Sequence, residues 1–294
     1  MPTIPLEEIE AQVGETRESV VGLTVEAGKV EEFARAIHDP ASVYCSAEAA
    51  ADAGYPAVPA PPTFTRTWVF PRYRPEGVGT DFGFDLGFDW QYVVHGEQRY
   101  EYERPVYVGD ALTGETTLED AYQREGSQGG TMTFAVFRTD FEDADGEHVL
   151  SAYNTRIETG GAIQDDAAAD GSGHERGDPD AVVEDVERRD FVKYAGASGD
   201  FNPIHYDEPY ATDAGNPSVF GQGMFSAGVA SRAVREHVGL DALASFQTRF
   251  TSRVFPDDTL RVFLDESGEN GAIDVEVVTD DDRTVVEGSA TSRE

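Results

Sequence analysis

Tyr194-Ala-Gly-Ala-Ser-Gly-Asp200-Phe-Asn202-Pro-Ile-His205-Tyr-Asp-Glu-Pro-Tyr-Ala211 decides the fold, because the chain carries a worn copy of it upstream. Phe33-Ala-Arg-Ala-Ile-His-Asp39 lies beneath Tyr194 to Asp200, and 200 less 39 sets an offset of 161. At that offset Ala53-Gly54 meets Ala214-Gly215, Pro56 meets Pro217, Val58 meets Val219 and Phe64 meets Phe225, without a gap. A second block, Val106-Tyr-Val-Gly-Asp110-Ala-Leu112 over Val254-Phe-Pro-Asp-Asp258-Thr-Leu260, has an offset of 148. The difference of 13 (161 less 148) places extra residues in the first half, in the Gly- and aromatic-rich run from Arg72 to Trp90. Two ordered blocks with consistent spacing indicate duplication of one domain.

Patterning within the two copies agrees. Val20 to Val25 alternates as a strand, Lys29 to Ile37 has helical spacing, and Pro62 to Phe70 suits a helix with proline in its first turn. Strand-like runs follow at Val93 to Tyr102, Ala111 to Tyr122, Thr131 to Phe141 and His148 to Ile157. In the second copy Met224, Val229 and Val234 mark a long helix from Gly223 to Val238. Further strands are expected at Ala244 to Val254, Thr259 to Leu264, Ala272 to Val278 and Thr284 to Ala290. The pattern predicts an α+β fold of two tandem antiparallel sheets, each wrapped around a helix. The expected domains are 1–158 and 181–294, joined by an acidic flexible linker over 159–180, where Gly160 to Pro179 lacks apolar periodicity.

Composition narrows the function. The 294 residues include 57 acidic against 22 basic side chains, a net charge of −35, and the only lysines are Lys29 and Lys193. Such a surface repels nucleic acid. Molar salt, with a Debye length of about 3 Å, screens its self-repulsion, so the balance points to a salt-loving cell. Hydrophobic residues at 39% and aromatics at 11%, spread through both halves, exclude an acidic disordered chain. No apolar run approaches a membrane span, and no secretory signal opens the chain, so a cytoplasmic location is expected. Cys45 is alone, which leaves neither a disulfide framework nor a thiolate metal site.

Chemistry concentrates in the opening stretch. Asp200 and His205 stand five residues apart across an Asn-Pro turn, and Gly199 and Pro203 shape the backbone so that both side chains converge. A converging carboxylate and imidazole hold one water and share its protons, the arrangement that general acid–base catalysis requires. A thioester substrate also needs a donor for charge building on its carbonyl oxygen, and backbone N–H groups at a helix N-terminus supply one. Gly221-Gln222-Gly223-Met224 opens the long helix, which nominates the Gly223 amide. At offset 161 the first half keeps Asp39 but has Tyr44 for the histidine, Ala41 for Asn202 and Pro61-Pro62 at the helix entrance, so it is expected to be catalytically dead.

Ser198-Gly-Asp200-Phe-Asn202-Pro-Ile-His205, followed by Ala211 and Gly223-Met224, closely resembles the signature of MaoC-like (R)-specific enoyl-CoA hydratases. The first half, through Ala60-Pro-Pro-Thr-Phe64 and His95 to Pro105, resembles the N-terminal dehydratase domain often fused to them. The resemblance implies a double hot-dog fold and reversible hydration of trans-2-enoyl thioesters to (3R)-hydroxyacyl thioesters. It implies Asp200 and His205 as the dyad, Asn202 as its support and Gly223 as the thioester-oxygen donor. Gln222, where many relatives have histidine, joins Asn202 and Gly223 as an expected substrate-binding residue. No cofactor or metal is called for; coenzyme A or an acyl carrier arrives with the substrate, and a monomeric pseudo-dimer and a homodimer both remain open. Hydration of a branched or dicarboxylic enoyl-CoA such as mesaconyl-CoA, and a non-catalytic acyl-thioester binding subunit, are the alternatives. Asp39 and His38 are expected to be structural, and His95, His148, His174 and His237 to be surface or satisfied interior residues. Arg99, Arg104, Arg249 and Arg253 are candidates for coenzyme A phosphates.

Overall fold

A computed structural model describes residues 1–126, 130–159, 176–266 and 271–293, so most of the expected linker lies outside the described residues. The first half contains β1 (Thr16–Thr24), β2 (Val93–Tyr102), β3 (Ala111–Glu125), β4 (Thr131–Glu142) and β5 (His148–Glu158). The second contains β6 (Ala181–Val183), β7 (Leu243–Phe250), β8 (Leu260–Asp265), β9 (Ile273–Val278) and β10 (Thr284–Ser292). The helices are α1 (Leu6–Glu10), α2 (Ala27–Ala36), α3 (Ala47–Asp52), α4 (Arg188–Ser198), α5 (Glu208–Asp213) and α6 (Gly223–Val238).

The two half-sheets join edge to edge in the order β1-β3-β4-β5-β2-β7-β10-β9-β8-β6, with antiparallel pairing throughout. That order is a palindrome, because β6 to β10 repeat the connectivity of β1 to β5. Pairing at the centre is centred on Arg99 opposite Gln247, flanked by Gln98 opposite Thr248 and Tyr100 opposite Phe246. The separation there, 247 less 99, is 148, the offset read between the second pair of sequence blocks. Joining the β2 and β7 edges also removes two exposed rows of backbone donors and acceptors.

The other offset recurs in the helices. Ala27 and Arg188, Ser42 and Pro203, and Ala47 and Glu208 begin matching elements, and each pair is 161 apart. Local chemistry repeats as well. The Asp110 carboxylate accepts from the Tyr107 amide at 2.9 Å, and the Asp258 carboxylate accepts from the Phe255 amide at 2.8 Å, both turns shifted by 148. Arg104 grips Asp110 and Arg283 grips Asp258.

The halves differ in their central element. In the second half α6 lies across β6 to β10 and is buried almost all round from Met224 to Val234, so the sheet wraps it. In the first half, the helix expected over Pro62 to Phe70 forms only as a short 3-10 run, Phe64–Val69. Two prolines enter it without N–H groups, and β-branched Thr63, Thr65, Thr67 and Val69 restrict side-chain freedom in a helix. The run from Arg72 to Trp90 fills the space instead. Phe82 and Phe84 are buried there, with ring centroids 4.9 and 5.6 Å from that of Phe137 on β4.

The halves pack directly through α6. A Cβ on Gly228 would fall 2.3 Å from the Cγ2 of Ile37, a fully buried residue just beyond α2. Glycine is required there by close approach, and β-branched Ile37 has little rotamer freedom to yield. Gly228→Ala should therefore lower stability by about 1–3 kcal/mol despite its better helix propensity. In denaturant melts that cost should shrink in an Ile37→Ala background, where the obstructing methyl is gone; equal costs in both backgrounds would rule out the contact.

Candidate active site

α4 begins with a reciprocal capping box between Glu187 and Asp190 and stops at Gly199, which adopts the left-handed conformation (φ 86°). Glycine is needed there twice over, since a Cβ would also lie 2.9 Å from the backbone nitrogen of Phe70. The turn releases Asp200, whose amide donates to Ser198 Oγ at 3.2 Å while that hydroxyl donates to the Tyr194 carbonyl at 2.7 Å. Asn202 Oδ1 accepts from the Ile204 amide at 3.2 Å and caps the 3-10 turn Pro203–His205. Asn202 therefore forms the turn, and it also lines the cleft described below.

His205 is buried, and its Nδ1 lies 2.8 Å from the Phe220 carbonyl oxygen. A carbonyl only accepts, so Nδ1 carries the proton and Nε2 is the nitrogen of the neutral ring able to take one. Burial pushes His205 below the usual histidine range, and Asp200 opposes this without prevailing. For Asp200 the balance is reversed. Burial favours its neutral form, but Arg66, then His205 and the Asn202 amide, hold it below the usual carboxylate range. At neutral pH the pair is an ionised carboxylate beside a neutral imidazole.

Arg66 comes from the first half. It sits in the Phe64–Val69 run, is buried, and places Nη2 3.0 Å from Asp200 Oδ2. Both halves also line the cleft into which Asp200 and His205 open, of about 670 Å³. Gly223 stands at the first turn of α6 on its wall, packed so closely that a Cβ would be 3.1 Å from the Phe250 ring. Its amide donates to no protein group among the described residues and lies at the positive end of α6. Gln222 lines the cleft too, but its side chain is buried and its Nε2 donates to the carbonyls of Phe191 (3.2 Å) and Asp200 (3.3 Å). That placement ties the Asp200 loop to α4, while Oε1 is buried without a protein partner.

Residues 174–287 match the MaoC like domain, and residues 11–152 match the FAS1-like, dehydratase domain region. The chain belongs to the MaoC-like dehydratase family. Among curated relatives, a UPF0336 protein of Streptomyces coelicolor is 36% identical over 129 residues, covering 44% of this chain and 80% of that one. A MaoC-like dehydratase from Phytophthora capsici superposes with a TM-score of 0.74 at 21% identity, covering 99% of this chain and 98% of that one. A conserved hypothetical protein from Mycobacterium tuberculosis, described as having a double hot-dog fold, gives 0.64 at 15% identity over 95% and 96% of the two chains. The fold is the double hot-dog, and the family is one of hydro-lyases, which add or remove water.

In the first half the MaoC-like dyad positions hold different chemistry. Asp39 accepts from Arg235 Nε at 3.1 Å and Nη2 at 3.0 Å, and from the Ala41 amide at 3.1 Å, so its oxygens are engaged. Tyr44 is buried, and burial with Asp39 beside it pushes its hydroxyl well above the usual tyrosine range. Of the four arginines singled out from sequence, only Arg253 lines the cleft. Arg104 pairs with Asp110 and Asp143, Arg99 pairs with Glu101, and Arg249 is exposed opposite Glu97 in the sheet.

Sequence reasoning missed Arg66, Arg156 and the position of His95. His95 is interior, with Nε2 2.6 Å from Asn154 Nδ2, yet it also lines the cleft. Burial, then Arg66 and Arg156, keep it neutral, well below the usual histidine range. No motif marks these residues: His95 and Arg156 lie on strands of mixed polar and apolar residues, and Arg66 lies in a 3-10 run.

Because Asp200 is depressed in the folded state, its contribution to stability is complete above the unfolded carboxylate range and is lost as pH falls through the folded value. Arg66→Met removes the opposing charge and leaves burial to act alone. The carboxyl carbon of Asp200, followed by NMR, should titrate below the ordinary aspartate range in the wild type and above it in Arg66→Met. Unchanged titration would show that Arg66 is not what holds Asp200 ionised.

Proposed function

We infer that the chain reversibly hydrates trans-2-enoyl thioesters to (3R)-hydroxyacyl thioesters. The observation that carries this reading is that Asp200 and His205 line one cleft, with His205 Nδ1 tied to the Phe220 carbonyl so that Nε2 is left to accept; Arg66 favours the ionised form of Asp200, and burial favours the neutral form of His205. A water held between them loses a proton to the pair as its oxygen attacks C3, and a proton returns to C2. Two interacting groups titrate as a unit, so the dyad rather than either residue is the acid–base device. As C3 is attacked, charge builds on the thioester oxygen, and the Gly223 amide at the positive end of α6 is suited to receive it. Asn202 holds the turn and Gln222 holds the Asp200 loop.

On this reading residues 181–294 are the catalytic half and 1–158 a non-catalytic half that completes the cleft, with 159–180 as the connection. At the positions that match the dyad, the first half has no carboxylate–imidazole pair, since Asp39 is engaged by Arg235 and Tyr44 replaces the histidine. Coenzyme A or an acyl carrier comes with the substrate, and no cofactor of the protein's own is invoked. The acidic surface suits a salt-rich cytoplasm, so molar KCl is the medium for assay.

With crotonyl-CoA, loss of enoyl absorbance reports hydration. Asp200→Asn and His205→Ala should each lower kcat/KM by about 10²–10⁴-fold. Removing both should cost little more than removing one, because members of one proton-transfer unit are not additive. Near-normal turnover by either variant would falsify the dyad, whereas release of free thiol without loss of the double bond would indicate a thioesterase.

A further inference from the structure

Arg156 lies in the interior of the sheet on β5, between His95 on β2 and Ala135 on β4, so its backbone is held on both sides. Its side chain lines the cleft. The guanidinium carbon is 5.3 Å from the centroid of the Trp90 ring and 5.7 Å from that of Phe82, which hold the group between two aromatic surfaces. Its Nε is buried without a partner, and among the described residues no carboxylate pairs with it. Burial and neighbouring Arg66 push its pKa down to about 10, while Asp200 and Asp81 oppose this from beyond ion-pair distance, so it stays charged at neutral pH.

An unpaired charge taken out of water is costly, and proteins retain one where something else completes it. Here an acidic partner would have been easy to provide, in a chain with 57 acidic residues. Instead the charged residues lining the cleft are Arg66, Arg74, Arg156 and Arg253 against Asp200 alone. Arg66 already neutralises Asp200, so an incoming anion meets no net repulsion from the dyad. Arg74 donates to the Val78 carbonyl, whereas among the described residues Arg156 is held only by aromatic rings, and its planar fork matches a carboxylate by two parallel hydrogen bonds.

We propose that the cleft selects acyl thioesters whose acyl group bears a second, free carboxylate, and that Arg156 receives it. The proposal rests on reading the cleft as the hydration site and deepens it by naming the substrate class. Arg156 stands opposite His95 in the strand pairing, and both line the cleft onto which Asp200 and His205 open. It therefore meets the acyl end of the substrate, whereas the phosphates of coenzyme A lie a full pantetheine arm from the thioester carbonyl. A short dicarboxylic enoyl chain carries its second carboxylate only one or two carbons beyond C3, at the acyl end that Arg156 would meet.

Succinyl-CoA and butyryl-CoA share a four-carbon skeleton, differ in the terminal carboxylate, and cannot be hydrated. Calorimetry in molar KCl should show wild-type protein binding succinyl-CoA about 10- to 100-fold more tightly. Arg156→Gln should bring the ratio close to one, and Arg156→Lys, which keeps the charge but not the fork, should fall between. No wild-type preference, or a preference kept by Arg156→Gln, overturns the proposal. Because the ratio is read within one protein, an unfolded variant would bind neither ligand, and Arg156→Lys then decides. Turnover separates this result from the hydration reading. Wild type should hydrate the mono-CoA thioester of trans-butenedioic acid faster than crotonyl-CoA at low substrate. Failure to hydrate either would sink the hydratase, while the binding ratio would still decide the role of Arg156.

Discussion

The ion pair between Arg66 and Asp200 is the interaction on which the site depends, and it crosses from one copy of the duplicated domain to the other. A carboxylate in a cleft walled by aromatic rings would favour its proton without a cation beside it. The cation comes from the segment that in the second half became the central helix. A full helix over Pro62 to Phe70 would carry Arg66 on a continuous cylinder; the tighter Phe64–Val69 run stops after two turns and leaves the guanidinium against Asp200. Duplication within one chain permits this, because two copies that need not be identical can supply the carboxylate–imidazole pair and its supporting cation separately.

Much of the architecture was legible before any coordinates. Residue identities gave offsets of 161 and 148, and the same numbers recur in helix starts, in the Asp110 and Asp258 turns, and in the pairing of Arg99 with Gln247. Those features are local: turn chemistry, strand alternation and helical spacing are written in adjacent residues. The long helix from Gly223 to Val238 and the strand from Val93 to Tyr102 carry the bounds read from sequence. The edge-to-edge union of the half-sheets was not legible, because strand pairing depends on which edges two folded copies leave open.

The site was half legible for the same reason. Asp200, Asn202, His205 and Gly223 belong to one loop-and-helix motif, and they meet on one cleft. Arg66, His95 and Arg156 lie on the other copy, in a 3-10 run and two strands whose alternation looks identical whether the polar face meets water or a buried cavity. Gln222 shows the converse. Its neighbours suggest a group facing substrate and it does line the cleft, but its amide nitrogen also answers the carbonyls of Phe191 and Asp200, a need created only when α4 and the start of α6 are brought together.

The contrast between surface and cleft constrains how this protein recognises a ligand. A net charge of −35 would repel an anionic thioester at low ionic strength, and distant acids would dominate the field at the entrance. In molar salt that field decays within about 3 Å, so neither repulsion nor steering reaches far. Charges enclosed by the fold are screened far less. Arg66, Arg74, Arg156 and Arg253, which line the cleft, would then act at contact distance on whatever enters. Specificity in such a protein must be built from enclosed contacts, which is why a guanidinium clamped between Trp90 and Phe82 carries more information about the ligand than the whole of the surface charge.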